Sequence, residues 1–396
     1  MKKQQLLFVG LALILIIQAC SKGALDRSPE DSKADFSSTG LTDSSSGGGD
    51  SSQTQIPSGV LTAGEWHDLS HWEFWDSIQT FPDFLKFPDY WDFYLNNRLS
   101  VQVTDALGQP AVDVPVALKM DGIPVTSVRT DNHGRAELFA GLFDDINNPN
   151  AHTFILDVNQ GQVFVTNPNF YKQGINQVSL PFTALAPSKI QVAFIVDATG
   201  SMGDEINYLK AELADVLQRV GNAHPSAALE TGSVFYRDAG DDYLTRISTF
   251  SNNYNTTTNF VKNQEAGGGG DFPEAVHNAL EEALNGLQWA SNARTRILFL
   301  VLDAPPHHEQ GVISSLQQSI IKAQEKGIKI IPIVASGIDK ETEFLMRYFA
   351  VSTNGTYVFI TDDSGIGNDH LEATVGPFQV EFLNDLMVRL VNFYAE

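Results

Sequence analysis

A single cysteine, Cys20, stands among 396 residues, so no intrachain disulfide can form and the one thiol is free for another covalent use. Positive charge is scarce too: 25 lysines and arginines are set against 48 aspartates and glutamates, a formal charge of −23. A field of that sign keeps an exported chain soluble, repels nucleic acid, and draws divalent cations and basic partners. No nucleic-acid partner is expected. The longest apolar run, 6–17, falls short of the roughly 20 residues that a bilayer-spanning helix needs. Catalytic signatures are missing as well. His307, His308 and Glu309 do not make the helical HExxH zinc arrangement, and Gly200-Ser201-Met202-Gly203 lacks the pattern of a strained nucleophile elbow. With no paired acid and base in evidence, no enzyme is expected.

What is present begins with Lys2 and Lys3, the apolar core 6–17, and then Ile17-Gln18-Ala19-Cys20, the three-part layout of a secretory signal. A small residue directly before a cysteine resembles the lipobox of bacterial lipoproteins. That resemblance implies a signal peptide over 1–19, cleavage before Cys20 and acylation of its thiol; the alternative is an uncleaved anchor with an idle cysteine. Ser21 in place of Asp implies, by the same resemblance, the outer membrane of a bacterial cell envelope. Cleavage removes Lys2 and Lys3 and moves the formal charge from −23 to −25.

Residues 20–58 are mostly Ser, Gly, Thr and Asp, too poor in aromatic and branched side chains to offset chain entropy, and read as a disordered tether. Residues 59–98 change character, with Trp66, Trp72, Phe74, Trp75, Phe87, Trp91 and Phe93 among them. This aromatic-rich collar is either a ligand-binding patch or, since aromatics dominate cores, short helical structure packed on a neighbouring domain. Over 99–187 apolar residues alternate, as at Val101 and Val103 or Val112, Val114, Val116 and Leu118. Turn sequences such as Asp121-Gly122 and Asp131-Asn132-His133-Gly134 interrupt them, which is the pattern of a β-sandwich. The arrangement resembles carboxypeptidase-regulatory-like and related immunoglobulin-like modules, and this implies a spacer or docking role.

Residues 188–396 alternate strand and helix patterns. Strands are expected at 191–196, 231–236, 244–250, 296–302, 328–335 and 356–360, and helices at 205–220, 273–287, 312–325, 340–349 and 380–393. Such alternation predicts a doubly wound, Rossmann-like α/β sheet with helices on both faces, behind an N-terminal β-sandwich. The hairpin 231–250 is expected to add an antiparallel edge.

The most informative stretch is 190–204. Its apolar run 192–196 ends in Asp197, with Thr199 and Ser201 at alternate positions beyond it. Hard cations such as Mg2+ take such oxygen ligands, keep some of their waters and leave positions for a partner. Ligands of open α/β folds gather at the carboxyl ends of such strands. Asp197-Ala198-Thr199-Gly200-Ser201, together with Asp303 after the apolar strand 297–302, resembles the metal-ion-dependent adhesion site of von Willebrand factor A-type domains, an Asp-x-Ser-x-Ser loop with an Asp from another loop. The resemblance implies bound Mg2+ (or Mn2+) and capture of another protein through an acidic or other oxygen side chain. Where the family has a Thr from a second loop, this chain has Gly267-Gly268-Gly269-Gly270-Asp271-Phe272-Pro273-Glu274. Asp271 is then a metal ligand, or, with Pro273 and Glu274, the cap and capping box of a helix. A third carboxylate would take the cation-loaded site from about neutral to about −1 and weaken its pull on an acidic group.

The glycine run, Tyr236-Arg237-Asp238 and Asp303-Ala304-Pro305-Pro306-His307 also resemble a subgroup of these domains in which such residues line the loop face. Arg237, Asp238, Asp241, Asp242 and His307 are candidate partner-binding residues on that reading; a plain hairpin turn and a solvated loop are the alternatives. His133, His224 and His277 read as turn, packing or surface residues. Three functions stay in view: a lipid-anchored protein that binds another protein through a cation-dependent site, a structural scaffold of an envelope complex, and an accessory module of a hydrolase.

Overall fold

The computed structural model describes residues 57–203, 205–367 and 370–396. The expected signal peptide, Cys20 and nearly all of the expected tether lie outside the described residues. The chain enters through strand β1 (Thr62–Trp66) and the short helices α1 (Trp72–Ile78) and α2 (Phe87–Trp91). The aromatics here are packed rather than displayed: Trp72, Trp75, Phe84, Phe87, Trp91 and Phe93 are all buried. Phe93 stacks on Tyr348 with ring centroids 4.7 Å apart, and Phe87 on Phe344 at 5.6 Å.

Seven strands follow: β2 (Asn96–Thr104), β3 (Pro115–Met120), β4 (Ile123–Arg129), β5 (Arg135–Gly141), β6 (Phe154–Val158), β7 (Val163–Thr166) and β8 (Asn176–Ser179). They form a three-stranded sheet in the order β5-β2-β8 and a four-stranded sheet in the order β4-β3-β6-β7. The alternating side chains Val101, Val103, Val116 and Leu118 all enter one apolar core shared with Leu138, Leu156 and Val158. Asp121 and Gly122 turn the β3–β4 hairpin with φ of 53° and 83°, the left-handed pair that a two-residue turn needs to match strand twist.

The rest of the chain supplies β9 (Lys189–Asp197), α3 (Ile206–Ala223), β10 (Ala228–Tyr236), β11 (Thr245–Ser251), α4 (Tyr254–Lys262), α5 (Val276–Gly286), β12 (Thr295–Leu302), α6 (Gln310–Lys326), β13 (Ile328–Val334), α7 (Lys340–Ser352), β14 (Tyr357–Ile360), β15 (Glu381–Phe382) and α8 (Leu383–Ala395). One eight-stranded sheet runs β11-β10-β9-β12-β13-β14-β1-β15. Its centre, β10 through β14, is parallel and β11 is antiparallel to β10. Side chains from α5, α6 and α7 share one apolar core with one face of the sheet, and those from α3 and α8 share a second core with the other. This is a doubly wound arrangement. On α3 the buried stripe is Ile206, Leu209, Leu213, Val216, Leu217 and Val220, the helical spacing read from the sequence. Among the described residues no helix is long and apolar enough to cross a membrane.

Three features depart from the sequence reading. First, β1 pairs antiparallel with β14 and β15, so the start of the collar is a strand of the large sheet and the two small sheets are inserted between it and β9. Glu212, buried on α3, holds that entry by accepting the backbone N–H groups of Gly59, Val60 and Leu61 at 2.8, 3.0 and 3.2 Å. Second, α4 forms from Tyr254-Asn255-Thr256-Thr257-Thr258-Asn259-Phe260-Val261-Lys262, a run rich in poor helix formers. Its cap is Asn253, whose side chain accepts Asn255 N–H at 3.2 Å, and buried Thr257 donates its hydroxyl to Thr231 O at 3.0 Å. Tertiary contact overrides propensity there. Third, α5 starts at Val276 with Ala275 at its N-cap and no side-chain cap, which corrects the reading of Asp271 and Glu274 as a capping box.

The inserted sheets are latched to the large one by a buried ion pair. Arg296 of β12 donates from Nη1 and Nη2 to the two carboxylate oxygens of Asp113 at 2.8 and 3.1 Å. Ala293 N–H and Arg129 Nε complete the carboxylate's partners at 3.0 and 2.6 Å.

Candidate functional site

Because β9 and β12 are adjacent and parallel, with Val196 opposite Val301, Asp197 at the end of one and Asp303 just past the end of the other arrive at the same edge of the sheet. Both are buried. Asp197 Oδ1 accepts the backbone N–H of Thr199 at 2.9 Å and its hydroxyl at 2.7 Å, while Oδ2 accepts the Tyr236 hydroxyl at 2.9 Å. Thr199 Oγ1 and Ser201 Oγ are 3.2 Å apart, and the Ser201 hydroxyl offsets part of the rise that burial gives the Asp303 carboxyl. The structure thus brings together four residues expected from the sequence: Asp197, Thr199, Ser201 and Asp303.

The glycine run packs alongside this loop. Gly267 N–H donates to Ala198 O at 3.0 Å and Gly200 N–H to Gly268 O at 3.1 Å. Gly268 and Gly269 have φ of 78° and 69°, and a Cβ on Gly268 would fall 2.3 Å from the Asp241 carboxylate. Only glycine meets both demands. Beyond the run, Asp271 is solvent-exposed, whereas Glu274 is buried. Glu274 N–H donates to Pro305 O at 2.9 Å, in a bridge that pairs Glu274 with Pro306 on the Asp303 loop. Its Oε1 would lie 2.9 Å from a Cβ on Gly269, and Thr199 Cβ 3.2 Å from the same point. Glu274, which the sequence reading assigned to a cap, therefore sits beside the carboxylates; its signal was the acidic residue ending the glycine run, one turn past Asp271.

The charges are unbalanced. Burial pushes Asp197 up to about 6. Burial and then the Asp197 charge push Asp303 up to about 7. Burial followed by Asp197, Asp238, Asp303 and Asp241 pushes Glu274 up to about 9. Asp303 Oδ1 and Glu274 Oε2 have no hydrogen-bond partner among the described residues, although buried acceptors are almost always paired. These orphaned oxygens, in an all-oxygen donor set, fit a hard divalent cation. Among the described residues no three His, Cys, Asp or Glu side chains converge as a metal-holding group. An ion here would accordingly draw on the Thr199 and Ser201 hydroxyls together with Asp197 and Asp303.

The surrounding candidates hold the face together. Arg237 donates to Ala198 O at 3.1 Å and Glu265 O at 2.9 Å, with its guanidinium over the Tyr243 ring. Asp241 Oδ2 accepts Gly269 N–H at 2.8 Å and Asp238 N–H at 3.0 Å. His307 Nε2 meets Asp238 Oδ1 at 2.9 Å, so His307 is tied to the β10 end of the face. His308 stacks on Tyr90 at 3.7 Å, which joins the collar to the loop after Asp303. Asp242 is exposed, 3.8 Å from Arg237. Elsewhere His224 bonds Asn392 at 2.8 Å, His133 packs against Phe393, and His277 lies on α5 with its pKa lowered by burial.

The von Willebrand factor A domain family matches residues 191–366. An alpha-protein kinase, vwkA, of Dictyostelium discoideum is 27% identical over 189 residues, covering 47% of this chain and 29% of the kinase. A putative ariadne-like RING finger protein of Acanthamoeba polyphaga mimivirus is 28% identical over 131 residues, covering 33% of this chain and 12% of that protein. The chain thus spans under a third of either relative. Among solved structures, the conserved hypothetical protein BatB from Bacteroides thetaiotaomicron aligns over 52% of this chain and 98% of its own, at 13% identity and a TM-score of 0.34. Residues 191–366 of this chain form a von Willebrand factor A domain.

Proposed function

We propose that the chain is a lipid-anchored protein of the bacterial cell envelope whose von Willebrand factor A domain binds another protein at a divalent-cation site. Domains of this family generally mediate protein–protein interaction. The observation that carries the cation reading is the pair of buried carboxylates, Asp197 and Asp303, at neighbouring strand ends. Thr199 and Ser201 hydroxyls lie beside them, and Asp303 Oδ1 is left without a partner. Bound there, Mg2+ or Mn2+ supplies a positive centre that an oxygen of another molecule approaches. Asp197 and Asp303 hold the charge, Thr199 and Ser201 orient their hydroxyls, and Tyr236 steadies the Asp197 carboxylate.

The two small sheets over 99–187 serve on this reading as a β-sandwich spacer, and the chain before residue 59 as a tether to a lipid on Cys20 in the outer membrane. The function is binding rather than catalysis. On this reading the Ser201 hydroxyl, 3.2 Å from Thr199 Oγ1, serves the cation rather than acting as a nucleophile. A second reading, a scaffold whose cation only ties three loops together, draws support from Asp197 being fully buried.

Calorimetric titration with Mg2+ tests the site: saturable binding is expected in the wild type and none in Asp197→Ala, and binding that survives the substitution would remove Asp197 from the site. A partner that stays bound after chelation would favour the scaffold. Membrane fractionation tests the anchor, with Cys20→Ala expected to move the protein into the soluble fraction; a variant that stays with the membrane would sink the lipid assignment.

A further inference from the structure

Glu274 is a buried carboxylate that the fold itself does not employ. It caps no helix, because α5 begins two residues later with Ala275 at the N-cap. Among the described residues its Oε2 has no hydrogen-bond partner. A buried charge in that condition is costly unless something compensates it. Its location is defined by the bridge to Pro306, which sets it on the Asp303 loop, and by the point near Gly269 that it flanks together with Thr199. It therefore borders both loops of the proposed cation site, and the second unpartnered oxygen there, Asp303 Oδ1, belongs to the same cluster.

We infer that Glu274 is the third carboxylate of this site, acting on the cation through the ion's retained water, and that its charge selects a neutral or basic partner group over an acidic one. The inference rests on the cation reading given above. Action through water fits the arrangement: Glu274 Oε2 has no partner among the described residues and its carboxylate flanks, with Thr199, the point beside Gly269, and Mg2+ keeps several waters when one or two carboxylates bind it. Selection follows from charge. With the cation bound and keeping all three carboxyls ionised, Asp197, Asp303 and Glu274 carry three negative charges against two on the ion, so the loaded site is anionic. The rim adds to this: Asp242 and Asp271 are exposed, while the guanidinium of Arg237 is already committed to Ala198 O and Glu265 O. An incoming carboxylate meets a negative field, and a backbone carbonyl, hydroxyl or lysine-bearing segment does not.

The test is Mn2+ binding to the full chain followed by electron paramagnetic resonance, in wild type, Glu274→Gln, Glu274→Met and Asp271→Asn. Loss of a group that orients metal-bound water typically weakens metal affinity roughly 10- to 100-fold, and that loss is expected in both Glu274 variants but not in Asp271→Asn. The methionine variant keeps the length of the side chain without its charge or an amide, so agreement of the two isolates the carboxylate. Acetate added to the Mn2+-loaded proteins serves as the carboxylate probe. It should leave the wild-type spectrum unchanged and alter that of Glu274→Gln. Wild-type affinity in both Glu274 variants, with Asp197→Ala still abolishing binding, overturns this inference while the cation site stands. Absence of Mn2+ binding in the wild type overturns both. Uptake of acetate by the wild type, or its exclusion by Glu274→Gln, overturns the partner assignment.

Discussion

Arg347→Ala should lower the unfolding free energy by about 3–5 kcal/mol, the cost of breaking a buried ion pair by removing one partner. Arg347, on α7, is fully buried and donates from Nε to Asp68 Oδ2 at 3.0 Å and from Nη2 to Asp68 Oδ1. Glu343, one turn earlier, is also buried and 3.7 Å from the guanidinium. Taking the arginine away leaves Asp68, whose pKa burial already raises, and confronts it with a second buried carboxylate. Lys340 meets Glu343 at 2.8 Å but not Asp68, so it cannot substitute. The guanidinium also covers Trp75 and Phe74 at 5.5 and 5.8 Å from their ring centroids, an attraction to the ring faces that alanine does not supply. Urea unfolding followed by tryptophan fluorescence reads the change, since Trp66, Trp72, Trp75 and Trp91 all lie in the segment that Asp68 anchors. A loss under about 1 kcal/mol, the range of an exposed pair, would mean that the Asp68–Arg347 contact does not hold this segment to α7.

Asp113→Ala is expected to have an effect of similar size and a different consequence, release of the two small sheets from the large one. The carboxylate satisfies Arg296, which is 2% exposed, from one side and Arg129 from the other. Alanine leaves the Arg296 guanidinium buried without a counter-charge, a penalty of about 3–5 kcal/mol. It also places a residue with no local hydrogen-bonding side chain at φ 61°, where the left-handed conformation costs roughly 1–2 kcal/mol. Asp113→Asn keeps the shape and tolerates that backbone, so it separates the two contributions by losing the charge alone. Limited proteolysis of the intact chain reports the latch, with cleavage expected near residues 184–188 in Asp113→Ala before the large sheet is attacked. Equal resistance in variant and wild type would show that contacts such as Thr126 with Gln324 at 3.1 Å hold the sheets without it.

Several elements were legible in the sequence because their cause is local. The continuous apolar run of β9, buried on both faces, and the helical stripe on α3 require only chain periodicity to recognise. The hairpin turn at Asp121-Gly122 follows from two residues that accept positive φ. Asp197 stood out as a polar residue at the end of an apolar strand, and Asp303 through the family resemblance and the apolar strand it follows; the structure sets both at the same edge of the sheet. The strand β1 was not legible, since five residues, Thr62-Ala63-Gly64-Glu65-Trp66, carry no alternation strong enough to announce a partner nearly three hundred residues away. Helix α4 was hidden by its threonines. The capping box read at Asp271 and Glu274 depended on where α5 begins, and helix ends are set by contacts such as Glu274 N–H to Pro305 O rather than by propensity.

From its residues alone this protein is an acidic chain with a short apolar run before a single cysteine, an alternating β region and a region of alternating strands and helices with Asp197, Thr199 and Ser201 at a strand end. Composition and periodicity decide those properties because each depends on near neighbours. Tertiary structure decided that the large sheet is completed by a strand from before the inserted sheets. It also decided that Asp113 and Arg296 meet across 183 residues of chain, and that Glu274 rather than Asp271 borders the carboxylates. Those outcomes turn on long-range pairing and burial, where the desolvation of a charge and the satisfaction of a backbone N–H are settled by residues that the local sequence does not contain.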